Sequence, residues 1–275
     1  MEVGWGTRDR GFLVALLVGA LTVGKSAPYL AAYLGGAEWR RAVIATSILA
    51  AVGGLLVLAI SLGPHHARSF RFVPGAILLA WTDPRIRRAY LGYLGHMWEL
   101  YAVWAWMAAA AGASYAAALS PAESESFGKL TAFLAIGLGG IACLPAGSIA
   151  DRIGKAEVAI AAMAVSGTTA LLTAWSFGGP VWLVFALMLV WGISVVPDSA
   201  QFSAIVAEAS PPDLSGTLLT FQTALGFALT IFTVQVVPWL AETFGWPAVL
   251  AGLAIGPAAG ILSMLPLRKS RLATD

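Results

Sequence analysis

Residues Cys143–Met163 read CLPAGSIADRIGKAEVAIAAM. Long apolar sequence flanks the stretch, and in its middle Asp151, Arg152 and Lys155 crowd into five residues among small side chains. The stretch reads as the end of one membrane helix and the start of the next. Gly147 lets helix ends approach closely, and Gly154 permits a turn conformation that other residues disfavour. Asp151 is suited to accept hydrogen bonds from the unpaired N–H groups of a helix start. Arg152 and Lys155 are suited to pair with acids or with the C-terminal end of a neighbouring helix. An ordinary basic loop facing the cytoplasm is the plainer reading, and it stays open at this point.

The rest of the chain agrees with a membrane setting. Of 275 residues 59% are hydrophobic and only 11% charged, against about 25% charged in a soluble domain. The mean hydropathy is +0.82. Apolar runs long enough to span a bilayer recur along the whole length, which predicts an all-α polytopic membrane protein. A transmembrane barrel is excluded, because its strands are about ten residues long and alternate in polarity. The single cysteine, Cys143, excludes an intramolecular disulfide and a cysteine-based metal cluster. It reads as a small buried apolar residue. The first apolar run is too long for a signal peptide, and KSAPYL is no cleavage site.

Eight spans are predicted, at about 11–34, 41–62, 88–113, 127–149, 157–177, 180–206, 214–240 and 247–267. Between the second and third lies the longest connector, GPHHARSFRFVPGAILLAWTDPRIRR. Within it Pro74–Trp81 is apolar but too short to cross, and reads as a short interfacial helix started by Pro74 and stopped before Pro84. With eight spans both termini share one side. That side collects twelve of the sixteen basic residues, from Arg8 and Arg10 through Arg68, Arg71, Arg85, Arg87 and Arg88 to Arg152, Lys155 and the closing Arg268, Lys269 and Arg271. The other side holds Arg40, Arg41 and Lys129, and Lys25 sits inside a span. This bias places both termini, the connector and the Asp151 turn in the cytoplasm. Trp39, Trp81 and Trp246, near span ends, read as interface anchors.

The spacing Gly147-x-x-x-Asp151-Arg152-x-Gly154-Lys155 resembles the loop signature of the major facilitator superfamily. In that family the motif joins the second and third helices and recurs, weaker, between the eighth and ninth, where it acts as a cytoplasmic latch during transport. WTDPRIRRAYLGYLGHMWELYAVWAW, VVPDSAQFSAIVAEASPPDLSGTLLTFQTALGFALT and LPLRKSR are similar to a bacterial branch of the same family. The resemblance implies a bacterial cytoplasmic (inner) membrane. It also sets the register: 1–62 resembles the last two helices of the N-terminal bundle, 63–87 the central cytoplasmic loop, and 88–275 a complete six-helix C-terminal bundle. The chain thus resembles helices five to twelve of a twelve-helix transporter. The resemblance implies that four helices precede it, in a longer chain or in a partner.

Charged and polar groups inside spans mark candidate sites; a charge deep in a span costs about 2.5–3.5 kcal/mol to insert and normally faces a cavity or a partner. Glu99 lies about 16 Å along its helix from Arg88, near the midplane. His96 shares its face, with Gly92 and Gly95 leaving room beside it and Trp98, Tyr101, Trp104 and Trp106 in the same span. His96 and Glu99, with Trp98 and Tyr101, are read as lining a central cavity, binding solute, carrying a coupling proton, or both. A structural His–Glu pair is the alternative. A His-x-x-Glu metal site lacks the second such motif that a bundle metal centre uses, and His65-His66 reads as a solvated loop pair.

Lys25, before Pro28, is suited to an anionic solute or an ion pair. Asp198 and Gln201 share a face beside Pro197, nearer the cytoplasmic end, and suit gating or a structural role. Gln222 is a cavity group or an interhelical hydrogen bonder, and Gly252, Gly256 and Gly260 form a packing stripe.

These readings converge on a secondary transporter of a small solute, with Lys25 favouring an anion, working by alternating access, with protons as the candidate coupling ion for symport. The alternative is a shortened membrane protein that acts as scaffold or partner subunit without transport of its own. An enzyme is not expected: the sequence has no nucleotide loop, nucleophile elbow or metal-spaced cluster, and implies no cofactor. The basic residues are scattered over loops, so no nucleic-acid partner is expected.

Overall fold

The computed structural model describes residues 10–36, 39–59 and 73–268. These hold helices and no strand. Helix α1 is Arg10–Tyr33 and α2 is Trp39–Leu58. A 3-10 turn, Pro74–Leu78, runs into the short α3, Leu79–Thr82. Then come α4 (Pro84–Tyr115), α5 (Pro121–Ile153), α6 (Lys155–Trp175), α7 (Val181–Val195), α8 (Ser199–Ala209), α9 (Ser215–Phe244), α10 (Trp246–Leu253) and α11 (Ile255–Arg268). The apolar stretch of the connector is therefore helical, and it stops at Asp83, one residue before Pro84. Arg8, His65, His66, Arg68, Arg71, Lys269 and Arg271 lie outside the described residues, as does the first part of the connector.

Six helical segments are long and apolar enough to cross a membrane among the described residues: α1, α5, α6, α7 with α8, α9, and α10 with α11. The two other predicted spans are also helices. The 32-residue α4 is long enough but carries polar groups along its length, and the apolar part of α2 is the shorter stretch Val43–Leu58. Two spans are each split in two. Val196–Asp198 separates α7 from α8, where Pro197 withholds a backbone donor. Ala254 separates α10 from α11.

Local chemistry sets the helix ends. The Asp83 carboxylate accepts from the N–H groups of Arg85 and Ile86, with Pro84 in the first turn, so α4 starts four residues before the apolar run. Ser120 and Glu123 form a reciprocal capping box that starts α5 at Pro121, and a Glu125–Lys129 pair at 2.7 Å supports its exposed first turns. Gly154, at φ 122°, ends α5 and begins α6 in one residue, a conformation that a side chain would strain.

Small residues bring helices into close contact, as expected where van der Waals packing drives association. A Cβ on Gly95 would collide with the backbone of Gly256 and Gly260, which joins α4 to α11. The room that the sequence suggests beside Gly92 is filled by Met264 and Phe202. Gly252, by contrast, faces open space, because the break at Ala254 ends the regular stripe. On α5, Gly139 lies against Gly192 and Val196 at the end of α7, and the adjacent Gly140 lies against Gly19 of α1. One helix thus carries α1 on one side and the α7–α8 break on the other.

The described side chains of α2 are exposed throughout, as are Leu16, Leu17 and Leu21 of α1. Trp81 is exposed as an interfacial tryptophan would be, whereas Trp246 packs against the apolar core. Trp175 and Trp182, at the turn between α6 and α7, are exposed too.

Candidate functional site

The polar centre of the molecule is built on one face of α4. Glu99 is 1% exposed, and both its oxygens are occupied: Trp191 Nε1 of α7 donates to Oε1 at 2.6 Å, and Ser166 Oγ of α6 donates to Oε2 at 2.9 Å. His96, fully buried one turn earlier, has Nδ1 3.0 Å from Oδ1 of Asp198, and its Nε2 lies 2.7 Å from Ser199 Oγ. The first contact lies off the hydrogen-bond line, so it is an ion-pair approach rather than an aligned hydrogen bond. Phe202 and Tyr93 close over the imidazole, with ring centroids 5.7 and 6.2 Å away.

Asp198 occupies the N-cap position of α8 but makes no capping hydrogen bond, because its carboxylate is turned to His96. Two residues that the sequence separates by about a hundred positions, one read as a proton carrier and one as a gate, therefore form one pair.

Lys25 is placed differently. It is half-buried on α1, and its Nζ lies 4.4 Å from the ring centroids of both Tyr101 and Trp104 on α4. It also approaches the Tyr101 hydroxyl at 3.4 Å. Among the described residues no carboxylate lies within ion-pair distance of it. Tyr29, one turn on, donates to the Trp104 carbonyl oxygen and holds α1 against α4 at this level. Phe227 of α9 packs edge-on to Tyr101. The Trp104 indole N–H is buried with no acceptor among the described residues.

The remaining candidates are dispersed. Gln222 is buried on α9; its Oε1 accepts from Ser203 at 3.4 Å and its Nε2 has no partner among the described residues. Gln201 donates to the Pro197 carbonyl oxygen at 3.5 Å, and its Oε1 has no donor among the described residues. Trp98 points away from the Lys25 cluster. Its indole N–H donates to Gly252 O at 3.2 Å, and it lines an open apolar crevice between α4, α9 and α11.

At the predicted cytoplasmic turn Gly147 and Gly154 are buried, while Asp151 and Arg152 are exposed and make no side-chain hydrogen bond or ion pair with the described residues. Lys155 turns inward and meets Glu208 at 2.8 Å, and Arg85 approaches the same carboxylate at 3.7 Å. The three line a pocket of about 120 Å3 with Glu157.

The sequence reading misses Ser166, Trp191 and Ser199 around the α4 face, Trp104 and Tyr29 around Lys25, and Glu208 at the turn. Glu208 carries a visible signal, a lone acid ending an apolar helix. A serine or a tryptophan within an apolar span carries none.

No protein-family model matches the chain. The chain is 35% identical over 124 residues to the probable galactarate/D-glucarate transporter GudP of Bacillus subtilis (strain 168), covering 43% of this chain and 26% of that protein. The matched segment therefore spans about a quarter of the length of the curated relative. This partial likeness agrees with the resemblance to the major facilitator superfamily carried by the Gly147–Lys155 loop. With six membrane-capable helices among the described residues, it makes the chain an integral membrane protein of all-α, polytopic fold.

Proposed function

We propose that the chain carries the C-terminal bundle, and the two helices before it, of a secondary transporter that moves a small organic anion by alternating access. The observation that carries the reading is Lys25: an ammonium group deep in a span, held by two aromatic faces rather than by an acid. A cation–π contact contributes about 0.5–2 kcal/mol, less than a charge-assisted hydrogen bond to a carboxylate in a water-poor site. A carboxylate entering between α1 and α4 would draw the ammonium off the rings. The Trp104 N–H and the Tyr101 hydroxyl are further donors beside Lys25 suited to an oxygen-rich solute, and the Gln222 amide, without an acceptor among the described residues, is another on α9; Trp98, turned away from Lys25, lies outside this path.

The relative named for galactarate and D-glucarate makes sugar diacids the first solutes to test. In this reading His96 and Glu99 lie on the route of a coupling proton. Asp198 and Gln201 belong to the moving break, and Gly147, Asp151, Arg152, Gly154 and Lys155 form the cytoplasmic latch. Both termini face the cytoplasm of a bacterial cell, and four further helices, in a longer chain or a partner, complete the path. The chain catalyses no covalent step and uses no cofactor.

The test is uptake of labelled D-glucarate into proteoliposomes at an imposed pH gradient, for the wild type and Lys25→Met. Uptake that is present in the wild type and falls at least tenfold in Lys25→Met supports the reading. Equal uptake by both removes Lys25 from the path, and none by either, with the helices that complete the path supplied and the chain correctly inserted, favours the scaffold or partner-subunit alternative.

A further inference from the structure

The α7–α8 break is fastened to α4 by a single imidazole ring. On one side His96 Nδ1 meets the carboxylate of Asp198, the last residue before α8. On the other its Nε2 meets the hydroxyl of Ser199, the first residue of α8. Asp198 forgoes the capping bond that its position offers, so the pairing with His96 is what its carboxylate has in place of helix N–H groups. His96 is fully buried and Asp198 2% exposed.

Among the described residues no cation other than His96 lies within ion-pair distance of the carboxylate: α1 packs on α8, but its Lys25 is held against Tyr101 and Trp104. The acids and bases of α6 are Lys155 and Glu157, in its first turn; those of α9 and α11 are Glu242 and Arg268, near or at their ends; α7 has none; and Glu208 closes α8. On α5 they lie near its two ends, at Glu123, Glu125 and Lys129 and at Asp151 and Arg152. The titratable groups near the pair are Glu99 and Tyr93 of α4 and Cys143 of α5. None of these supplies a positive charge.

The count of protons then decides the energetics. With one proton shared by the pair, imidazolium faces carboxylate and the site is neutral overall. Without it a carboxylate is buried beside a neutral ring, next to Glu99, and a buried unpaired charge is strongly unfavourable. The Ser199 hydroxyl suits either state, since it accepts from an imidazolium and donates to a neutral ring nitrogen. The structure can relieve the second state by swinging Asp198 away, and the chain is already broken at Val196–Asp198.

We propose that the His96–Asp198 pair is a one-proton clasp on the α7–α8 break: holding the proton it fastens the break to α4, and losing it releases the break. The proton belongs to the pair, not to either residue. Glu99, whose two oxygens are fixed by Trp191 and Ser166 on other helices, is the static neighbour of this clasp. The clasp rests on the transport reading only for its use, and it can be tested without any solute.

The experiment uses the full chain in lipid nanodiscs, with no solute, across about pH 5.5 to 8.5, the range in which histidine titrates. Nitrogen NMR of the imidazole, with His65→Gln and His66→Gln leaving His96 as the one remaining histidine, reads the proton. Hydrogen exchange of the amides from Val196 to Ser203, corrected for the intrinsic pH dependence of exchange, reads the break. Exchange is expected to rise with pH as His96 loses its proton, by up to about tenfold per pH unit for a one-proton linkage. His96→Gln and Asp198→Asn are expected to abolish that slope. Ser199→Ala, which keeps both members of the pair, is expected to keep it with a displaced midpoint, and so controls for misfolding of the Asp198 variant.

A flat exchange profile while His96 titrates overturns the proposal. So does an unaltered slope in Asp198→Asn, or a His96 that never titrates in this range. A chain that shows the slope but moves no solute in the uptake assay upholds the clasp and rejects the transport reading.

Discussion

Two charged side chains lie deep in spans, and the molecule treats them in opposite ways. Glu99 is enclosed by α4, α6 and α7, with a hydrogen-bond donor on each oxygen. Lys25 stands between α1 and α4, half-buried, against two aromatic faces and a hydroxyl at 3.4 Å. A buried carboxylate with a donor from a different helix on each oxygen is fixed in place and is poorly available to a solute, though a proton can still reach it. An ammonium held by rings retains its strongest interaction for something not yet present. Depth in the membrane alone therefore does not mark a solute site; unspent hydrogen-bonding capacity does.

The strongest way to break this comparison is to remove the saturated charge. Glu99→Ala leaves the Trp191 N–H and the Ser166 hydroxyl without their acceptor in a dry interior. Hydrogen bonds inside membrane proteins average near 0.6 kcal/mol, but orphaned donors cost more. A loss of about 2–3 kcal/mol is expected, read as a lower unfolding temperature in detergent. Glu99→Gln keeps the shape and one good acceptor, and is expected to lose less than half as much. If Glu99→Ala unfolds at the wild-type temperature, Glu99 is not a structural hub and the contrast with Lys25 fails.

Next in size is the packing that brings these helices together. A Cβ on Gly95 would meet the backbone of Gly256 and Gly260, which a rotamer change cannot relieve. Gly95→Ala is expected to cost about 1–3 kcal/mol of stability. Gly252→Ala, facing open space, is expected to change stability by less than about 0.5 kcal/mol. The two substitutions are chemically the same, so equal effects would contradict the packing described for α4 and α11.

These cases show how far the sequence could be read. A helix in each of the eight expected spans, the short helix at Pro74 and a turn at Gly154 were legible, because apolar run length, Pro and Gly act locally; that the turn is a single residue was not. Lys25, Glu99 and His96 stood out because charge in a span is expensive wherever it points. Partners were not legible. The 3.0 Å approach of His96 to Asp198 depends on how α4 meets the α7–α8 break, and Trp191 looks like any other apolar residue of its helix. The glycine stripe in the last span was read as continuous, since periodicity cannot register the break at Ala254 that turns Gly252 outward.

Lys25→Met sharpens the comparison from the other side. It removes contacts worth about 0.5–2 kcal/mol but also removes the cost of a half-buried charge, and methionine keeps the apolar fill between the rings. Stability is expected to stay within about 1 kcal/mol of the wild type, while uptake of an organic anion falls at least tenfold. Glu99→Gln should show the reverse weighting on binding, with solute affinity retained. If Lys25→Met destabilises the fold as much as Glu99→Ala, the aromatic clasp is structural and Lys25 loses its claim to a solute.

The smallest structural effect and the most selective functional one belong to Asp151. Its side chain is exposed and makes no hydrogen bond or ion pair with the described residues, whereas Lys155, four positions on, is committed to Glu208 at 2.8 Å. Asp151→Asn keeps the size of the side chain and removes only the charge, so the unfolding temperature should not move. A latch acts on the rate at which the two bundles exchange conformations and not on the solute itself. Asp151→Asn is therefore expected to slow uptake several-fold while half-saturating solute concentration stays near that of the wild type. Lys155→Ala, which also leaves Glu208 with Arg85 as its remaining ion-pair partner, should lower stability by up to about 1 kcal/mol in addition. Equal loss of rate and affinity in Asp151→Asn would make the turn part of the binding site, and the motif would then no longer separate the motion of the bundle from its contents.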